Sequence, residues 1–388
     1  MTRAYTVERR RLANLRLDAQ LLSGVRPAPD AAPAADSRAA SPGGTVRHLL
    51  AVQAQDFAGA KWSVGVRTHG STDVGIEAAL ASGEIVRSWP MRGTLHFVAP
   101  DDLGWMLSLT SARTIQGAAG RHRQLELTEA ELQHAREVAL GEMAGGVVLT
   151  RDELLARFVA AGIPVDGQRG IHIVQRLALW GVLVFGPPRA GAPGKANQQT
   201  FVLVDEWVRS PRTLERDEAL GEFALRYFTG HGAATVRDFA WWSSLTLTDA
   251  RAGLAVARDR LDEVVSDGTS YFLARDAGAA ASEAPEAPQT NVLALAGFDE
   301  YLLGYQDRRA ALSPEHFELI VPGKNGLFLP TIVVDGEVVG TWRRSLTAKG
   351  VVVEPQPFAP LTRAEARGFD AAVERYAAFL GRPLLPPA

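Results

Sequence analysis

The 388 residues include no cysteine, which removes disulfides, thiolate zinc sites and cysteine nucleophiles in one step and suits a reducing compartment. No uninterrupted apolar run approaches the roughly 18 residues of a membrane span, and the opening MTRAYTVERRRLANLRL lacks the apolar centre of a signal peptide. A cytoplasmic protein with no membrane partner is expected. The eight histidines, from His48 to His316, fall into no H-x-x-x-H or comparable ligand spacing, so no metal is assigned. Strong charge of either sign is also missing, with a net charge of -3 and a pI near 6.3. That excludes indiscriminate coating of nucleic acid, whose affinity comes from phosphate neutralisation, and leaves DNA contact to local basic patches. Gly194-Lys195 in AGAPGKAN lacks the Ser or Thr and the earlier glycine of a phosphate loop. No cofactor is expected.

What is present is an ordinary globular composition, 46% hydrophobic and 22% charged, sufficient for two or three compact units. Residues 27–44 and 276–289, rich in Ala, Pro, Ser and Gly, have almost no large apolar side chains to offset ordering entropy and read as unstructured. The first reads as a surface insert between a helical segment ending near Ser23 and another beginning at Thr45.

Around these gaps one succession recurs: helix, short break, second amphipathic helix, strand pair. This is the winged-helix plan. Its clearest copy runs from Thr150 to Trp207. There Thr150 with Glu153 forms a capping box, RGIHIVQRLALWG places Ile171, Val174, Leu177 and Ala178 on one helical face, and VLVF with QTFVLV supplies two strands. The first copy reads as helices 6–24, 45–57 and 72–83 followed by strands in IVRSWPMRG and TLHFVAP, with a turn around Pro90 to Gly93. The third reads as helix 216–228, a short helix from Thr235, a helix over TLTDARAGLAVARDRLDEVV, and strand SYFLAR after Asp267-Gly268. Further on, Asp335-Gly336 between IVV and EVV predicts a type I′ hairpin, and Thr362 with Glu365 caps a last amphipathic helix.

The main chemical candidate is Gln53-Ala54-Gln55. Positions i and i+2 point to opposite sides of a helix but share a face of an extended chain, so the two amides converge on one ligand only if the helix has ended or is distorted there. The plainer alternative is a pair of polar residues on an exposed helix end, since glutamine is a good helix former. Asp56 would face away from Gln55 in an extended stretch, which favours a capping role. Arg87 and Arg92 are candidate phosphate contacts from a wing, and His96 is either near the site or a hydrogen-bonded core histidine. Lys324 and Asn325 before the 335–336 hairpin, with Arg343 and Arg344 after it, either accompany a projection into a DNA groove or belong to a closing sheet. Asp299, Glu300, Tyr301, Tyr305, Asp307, Arg308 and Arg309 are read as an internal ion-pair network in preference to a cleft. Arg9, Arg10, Arg11 and Arg16 read as a basic helix face, solvated or touching phosphate. No lysine stands in a context that marks a Schiff-base nucleophile.

HLLAVQAQDFAGAKWSVGVRT with RSWPMRGTLHFV, and later GFDEYLLGYQDR and GKNGLFLPTIVVDGEVVGTWRR, resembles the winged-helix DNA glycosylase superfamily that includes the AlkZ-type interstrand-crosslink glycosylases. The likeness covers nearly the whole chain in order, apart from the two low-complexity stretches. It implies a catalytic Gln, an aliphatic residue and a second Gln, matched at Gln53, Ala54 and Gln55. A related branch ends that motif in aspartate, which this chain does not. The implied reaction is hydrolysis of the N-glycosidic bond of N7-alkylated or cross-linked purines in double-stranded DNA, leaving an abasic site.

The expected fold is mixed α/β and mostly helical, with three tandem winged helices around a concave DNA-binding surface. Residues 1–110, 111–212 and 213–275 form the modules, 276–289 a linker, and 290–388 a β-rich region. A monomer acting on DNA in the nucleoid is expected. The competing reading is a winged-helix transcription regulator without catalysis, and a protein-association role is a third. Against the regulator, TDVGIEAALASG and IHIVQRLALWG carry few base-reading side chains on their polar faces.

Overall fold

Helices in this chain tend to begin at threonines. At Thr128, Thr150, Thr235 and Thr362 the hydroxyl accepts the N–H three residues on, and Glu131, Glu153, Asp238 and Glu365 respectively reach back to the threonine N–H. Each box satisfies two of the four unpaired donors of a helix start, so these boundaries follow from local chemistry. The computed structural model describes residues 4–23, 40–190, 198–275, 277, 290–324 and 326–386. The chain is mixed α/β and about half helical.

The elements divide between two units, Met1–Ile76 with Leu220–Ala388, and Glu77–Ala219. The first unit opens with β1 (Ala4–Thr6), α1 (Arg9–Ala19), α2 (Pro42–Leu49), β2 (Ala51–Gln53), α3 (Phe57–Gly65) and the first turn of α4 (Asp73–Ser82). The second contains β3 (Val86–Met91), β4 (Thr94–Val98), α5 (Pro100–Gln124), α6 (Glu129–Met143), β5 (Leu149–Thr150), α7 (Arg151–Ala160), α8 (Arg169–Leu179), β6 (Leu183–Phe185), β7 (Thr200–Leu203) and α9 (Val204–Trp207). Its strands follow the order β4-β3-β6-β7-β5, antiparallel where paired.

The chain re-enters the first unit through α10 (Arg216–His231). There follow α11 (Val236–Ser243), α12 (Leu247–Ala257), β8 (Leu261–Ser266), β9 (Thr269–Ala274), β10 (Val292–Leu295), α13 (Glu300–Leu303), α14 (Phe317–Ile320), β11 (Thr331–Val334), β12 (Glu337–Leu346), β13 (Val351–Pro357), α15 (Arg363–Phe379) and β14 (Leu384–Leu385). One sheet is β1-β8-β9, with β1 parallel to β8, and another is β10-β11-β12-β13-β14. Leu12 and Leu15 of α1 pack with Ala233, Val264, Tyr271 and Leu273, so the start of the chain shares a core with residues beyond 230.

Several expectations hold: the helix and strand succession from Thr150, the α11 cap, the Asp267-Gly268 turn (φ 48° and 71°), the Asp335-Gly336 turn (φ 48° and 89°) and the last helix. Others need correction. The helix expected over 45–57 is two helices separated by a strand, because Leu50 turns left-handed (φ 66°) and Leu49 to Val52 are all fully buried, a run that no single helix face can hold. The expected insert 27–44 overlaps α2, which begins at Pro42 with Ser41 as its side-chain cap. Residues 24–39, 191–197 and 278–289 lie outside the described residues, which takes in Gly194-Lys195 and most of both low-complexity stretches. The helix expected to run through RLDEVV stops at Ala257, and Leu261–Ser266 becomes a strand held between β1 and β9. The first helix is also shorter than 6–24.

Candidate active site on strand β2

The break after α2 builds the site. Leu50 reverses the backbone, β2 runs extended, and Asp56 restarts the helix by accepting the Gly59 N–H at 3.1 Å. At the end of the strand and in the bend that follows it, Gln53 is half-buried, Ala54 is fully buried and Gln55 is exposed. The alternation in exposure sets both glutamines apart from the fully buried Ala54 between them. The Gln53 side-chain oxygen is buried and has no hydrogen-bond partner among the described residues. Leaving such an acceptor unsatisfied is unfavourable by about 1–3 kcal/mol, so a carbonyl in this state is suited to a water or ligand donor. Asp56 is occupied with capping, in keeping with the role favoured from sequence.

Beneath Gln53 lies the FDEYLLGYQDR stretch. Glu300 Oε1 accepts the Gln53 N–H at 2.9 Å, while Glu300 Oε2 accepts Trp242 Nε1–H at 2.8 Å and lies 3.4 Å from His231 Nε2. The adjacent Asp299 makes a two-pronged ion pair with Arg67 (2.7 and 2.8 Å), whose guanidinium also donates to Ser63 O and to Gln20 O and Oε1. Arg67 and Asp299 are both buried, so every guanidinium bond here replaces water. Gly304 leaves room for this cluster, since a Cβ there would sit 2.6 Å from His231 Cδ2. Asp299, Glu300, Tyr301 and Tyr305 are internal, as read from sequence, and back the glutamine strand, whereas Asp307 and Arg309 pair with each other at the surface. His231 and Trp242 were not anticipated. A buried histidine late in α10 and a tryptophan in α11 carry no local sequence signal that separates them from ordinary core.

The remaining candidates are scattered. Arg87 is buried in β3 with its guanidinium 4.9 Å from the Phe185 ring centre, and burial pulls its pKa down to about 10. Arg92, in the left-handed region (φ 56°), forms the two-residue turn with Gly93. Its guanidinium donates to His96 Nε2 at 2.9 Å, which fixes the other ring nitrogen as the donor to Thr94 O. His96 is fully buried and therefore a hydrogen-bonded core histidine that braces this turn.

The tip of the 335–336 hairpin does not project. Its carbonyl accepts from Tyr301 Oη, and a Cβ on Gly336 would lie 2.9 Å from Ala13 Cβ, so the tip is packed on α1. The exposed end of this sheet is instead the β12–β13 connection, where Arg343 is exposed, Leu346 is 56% exposed and Arg344 is tied to the Tyr376 hydroxyl. Lys324 ends a short turn, its side chain and Asn325 lying outside the described residues. Arg16, expected on a basic surface, is buried, donating to the Ala233 and Asp307 carbonyls and stacking on Tyr305, while Arg9 pairs with Asp267 at the surface. Among the described residues no group of three or more His, Asp and Glu side chains gathers to hold a metal ion, and no helix is long and apolar enough to cross a membrane.

Comparison with known proteins identifies the family. The family model for DNA glycosylase AlkZ-like proteins matches residues 46–379. An interstrand DNA cross-link repair glycosylase of Streptomyces sahachiroi is 32% identical over 326 residues, 80% of this chain and 84% of that protein. The solved structure of Streptomyces sahachiroi DNA glycosylase AlkZ superposes with a TM-score of 0.77 at 27% identity, covering 98% of this chain and all of that one. The matched span contains both glutamines, the Arg67–Asp299 pair and Glu300, and the chain belongs to the AlkZ-like DNA glycosylase family.

Proposed function

We propose that this DNA glycosylase is monofunctional, hydrolysing the N-glycosidic bond of N7-alkylated purines in duplex DNA, interstrand-crosslinked purines included. The observation that carries the reading is the buried, unpartnered side-chain oxygen of Gln53 on an extended strand with Gln55 two residues on. N7 alkylation gives the base a formal positive charge, so it departs neutral and needs no strong general acid. What remains is to hold a water against the anomeric carbon and to face a sugar of oxocarbenium character, which amide oxygens do as acceptors. Gln53 and Gln55 take that role. Lys61, the lysine nearest the motif, is buried and paired with Asp73 at 2.8 Å, which favours hydrolysis over Schiff-base chemistry.

DNA is held through Arg92 at its turn and Arg343 on the exposed end of β12, with Lys324 and Asn325 as further contacts. Arg87, His96 and Arg344 support these surfaces from within. We read the α8–β6–β7 and α12–β8–β9 successions as winged-helix units. With the first copy they make three modules at 1–110, 111–212 and 213–275, ahead of the β-rich region 290–388, working as a monomer on DNA.

The test is release of 7-methylguanine from methylated duplex by the purified protein beside Gln53→Ala and Gln55→Ala. Each variant should be slower by about 10²-fold or more while staying folded. A wild-type protein that binds DNA but releases no base, from simple or cross-linked lesions, would return the chain to the regulator reading.

A further inference from the structure

Glu300 is an unusual residue to find behind a strand of neutral amides. It is fully buried, its side chain meets the Gln53 N–H, the Trp242 indole N–H and His231, and its own carbonyl accepts Gln20 Nε2 at 3.2 Å and the Gly304 N–H at 2.7 Å. His231 is fully buried too, stacked on Tyr227 with ring centres 4.9 Å and planes 10° apart. The nearby guanidinium of Arg67 is engaged by Asp299. A buried carboxylate is strongly unfavourable unless hydrogen-bonded, and an apolar side chain would fill the same volume without that penalty. Any backbone carbonyl could also have taken the Gln53 N–H. A carboxyl group placed here, fixed at both oxygens and at its backbone, has its clearest use in locking one residue of β2.

We infer that Glu300 is a positioning residue for base release. It pins the backbone of Gln53, three residues after the positive-φ reversal at Leu50, so that the Gln53 amide is held toward the reacting water. Trp242 holds the carboxylate that does the pinning, with the His231 ring packed 3.4 Å from the same oxygen. Glu300 itself touches neither base nor sugar, and the inference rests on the glycosylase reading above.

Acting through Gln53 has a signature that a general loss of structure lacks. Single-turnover release of 7-methylguanine is measured for wild type, Glu300→Ala, Gln53→Ala and the double variant, together with duplex affinity and melting temperature. Glu300→Ala should release base about 10²-fold more slowly with affinity within about twofold, because displacement of a reacting group by about 1 Å has an effect of that size. The double variant should be no slower than Gln53→Ala alone, since a residue that works only through Gln53 has nothing left to position. A folded Glu300→Ala with an unchanged rate overturns the inference, as does a double variant slowed by the product of the two single effects. Should Glu300→Ala fail to fold, Trp242→Phe removes one donor to Glu300 and keeps an aromatic ring. It should show a smaller loss that vanishes in the Gln53→Ala background, and an unchanged rate or an additive loss overturns the inference there. A wild type that releases no base, or a Gln53→Ala protein as fast as wild type, removes the functional reading and the role of Glu300 with it. A slow Gln53→Ala beside a fully active Glu300→Ala removes the role of Glu300 alone.

Discussion

Asp56 stands next to the candidate glutamines and has the more basic side chain, but its carboxylate already serves the fold. It caps α3 through the Gly59 N–H, and a Cβ on Gly59 would come within 2.6 Å of Asp56 Oδ2, which shows how closely the cap is packed. Asp56→Ala should therefore lower stability by about 1 kcal/mol and leave single-turnover release near the wild-type rate, whereas a general base would lose about 10²-fold. Urea unfolding and base release, measured on one preparation, separate the two. The glutamines were legible in the sequence because a resemblance marked them, whereas the backbone break that precedes them was read as helix. Their support was not legible. Glu300 lies 247 residues from Gln53, and a buried carboxylate that accepts a distant backbone N–H leaves no periodic trace.

Elements were readable where the chain states its own boundaries. Thr150, Thr235 and Thr362 mark helix starts by capping chemistry, and Asp335-Gly336 marks its turn by demanding positive φ. Misreadings fall where distant partners decide. Leu261 and Val264 have a helical spacing, yet β1 and β9 take the segment as a strand, and the reversal at Leu50 answers to a core gathered from elsewhere in its unit. Packing among α5, α6 and α8 also sets a pH response. His122 of α5 is held below its usual pKa by burial and then by Arg176 and His172, against an opposing pull from Glu129. His172 of α8 is lowered by burial and then by Arg121. Both favour the neutral ring in the fold. On acidification through about pH 6.5 the unfolded chain takes up protons first, so stability of the Glu77–Ala219 unit should fall from pH 7 toward pH 5. The urea midpoint should decline over that interval, and less steeply in a His122→Gln/His172→Gln variant. A midpoint that rises on acidification would contradict this.

At the scale of the whole chain, one unit is assembled from two stretches and the other is a single insertion between Ile76 and Leu220. Composition foretold two or three units but not this interruption, because nothing in the apolar pattern of α4 or α10 says that their ends belong to different cores. The separation has a measurable result for residues 1–110, the stretch read from sequence as a first module. Leu12 and Leu15 need Ala233, Val264 and Leu273, Trp62 Nε1 needs Ala294 O, and Arg67 needs Asp299. Expressed alone, residues 1–110 should show poorly dispersed amide resonances and no cooperative melt, because removing Asp299 leaves a buried guanidinium without its partner, alone a loss of about 3–5 kcal/mol. A cooperative transition in that fragment would show that the first module carries its own core.

The bond from Glu300 to Gln53 also sets a timetable. A ribosome adding about 5–20 residues per second completes Glu300 roughly 12–50 s after it has made Gln53. Throughout that interval the nascent chain displays the glutamines without the carboxylate that steadies them. A premature stop anywhere between the two leaves a product that carries the motif and lacks its brace.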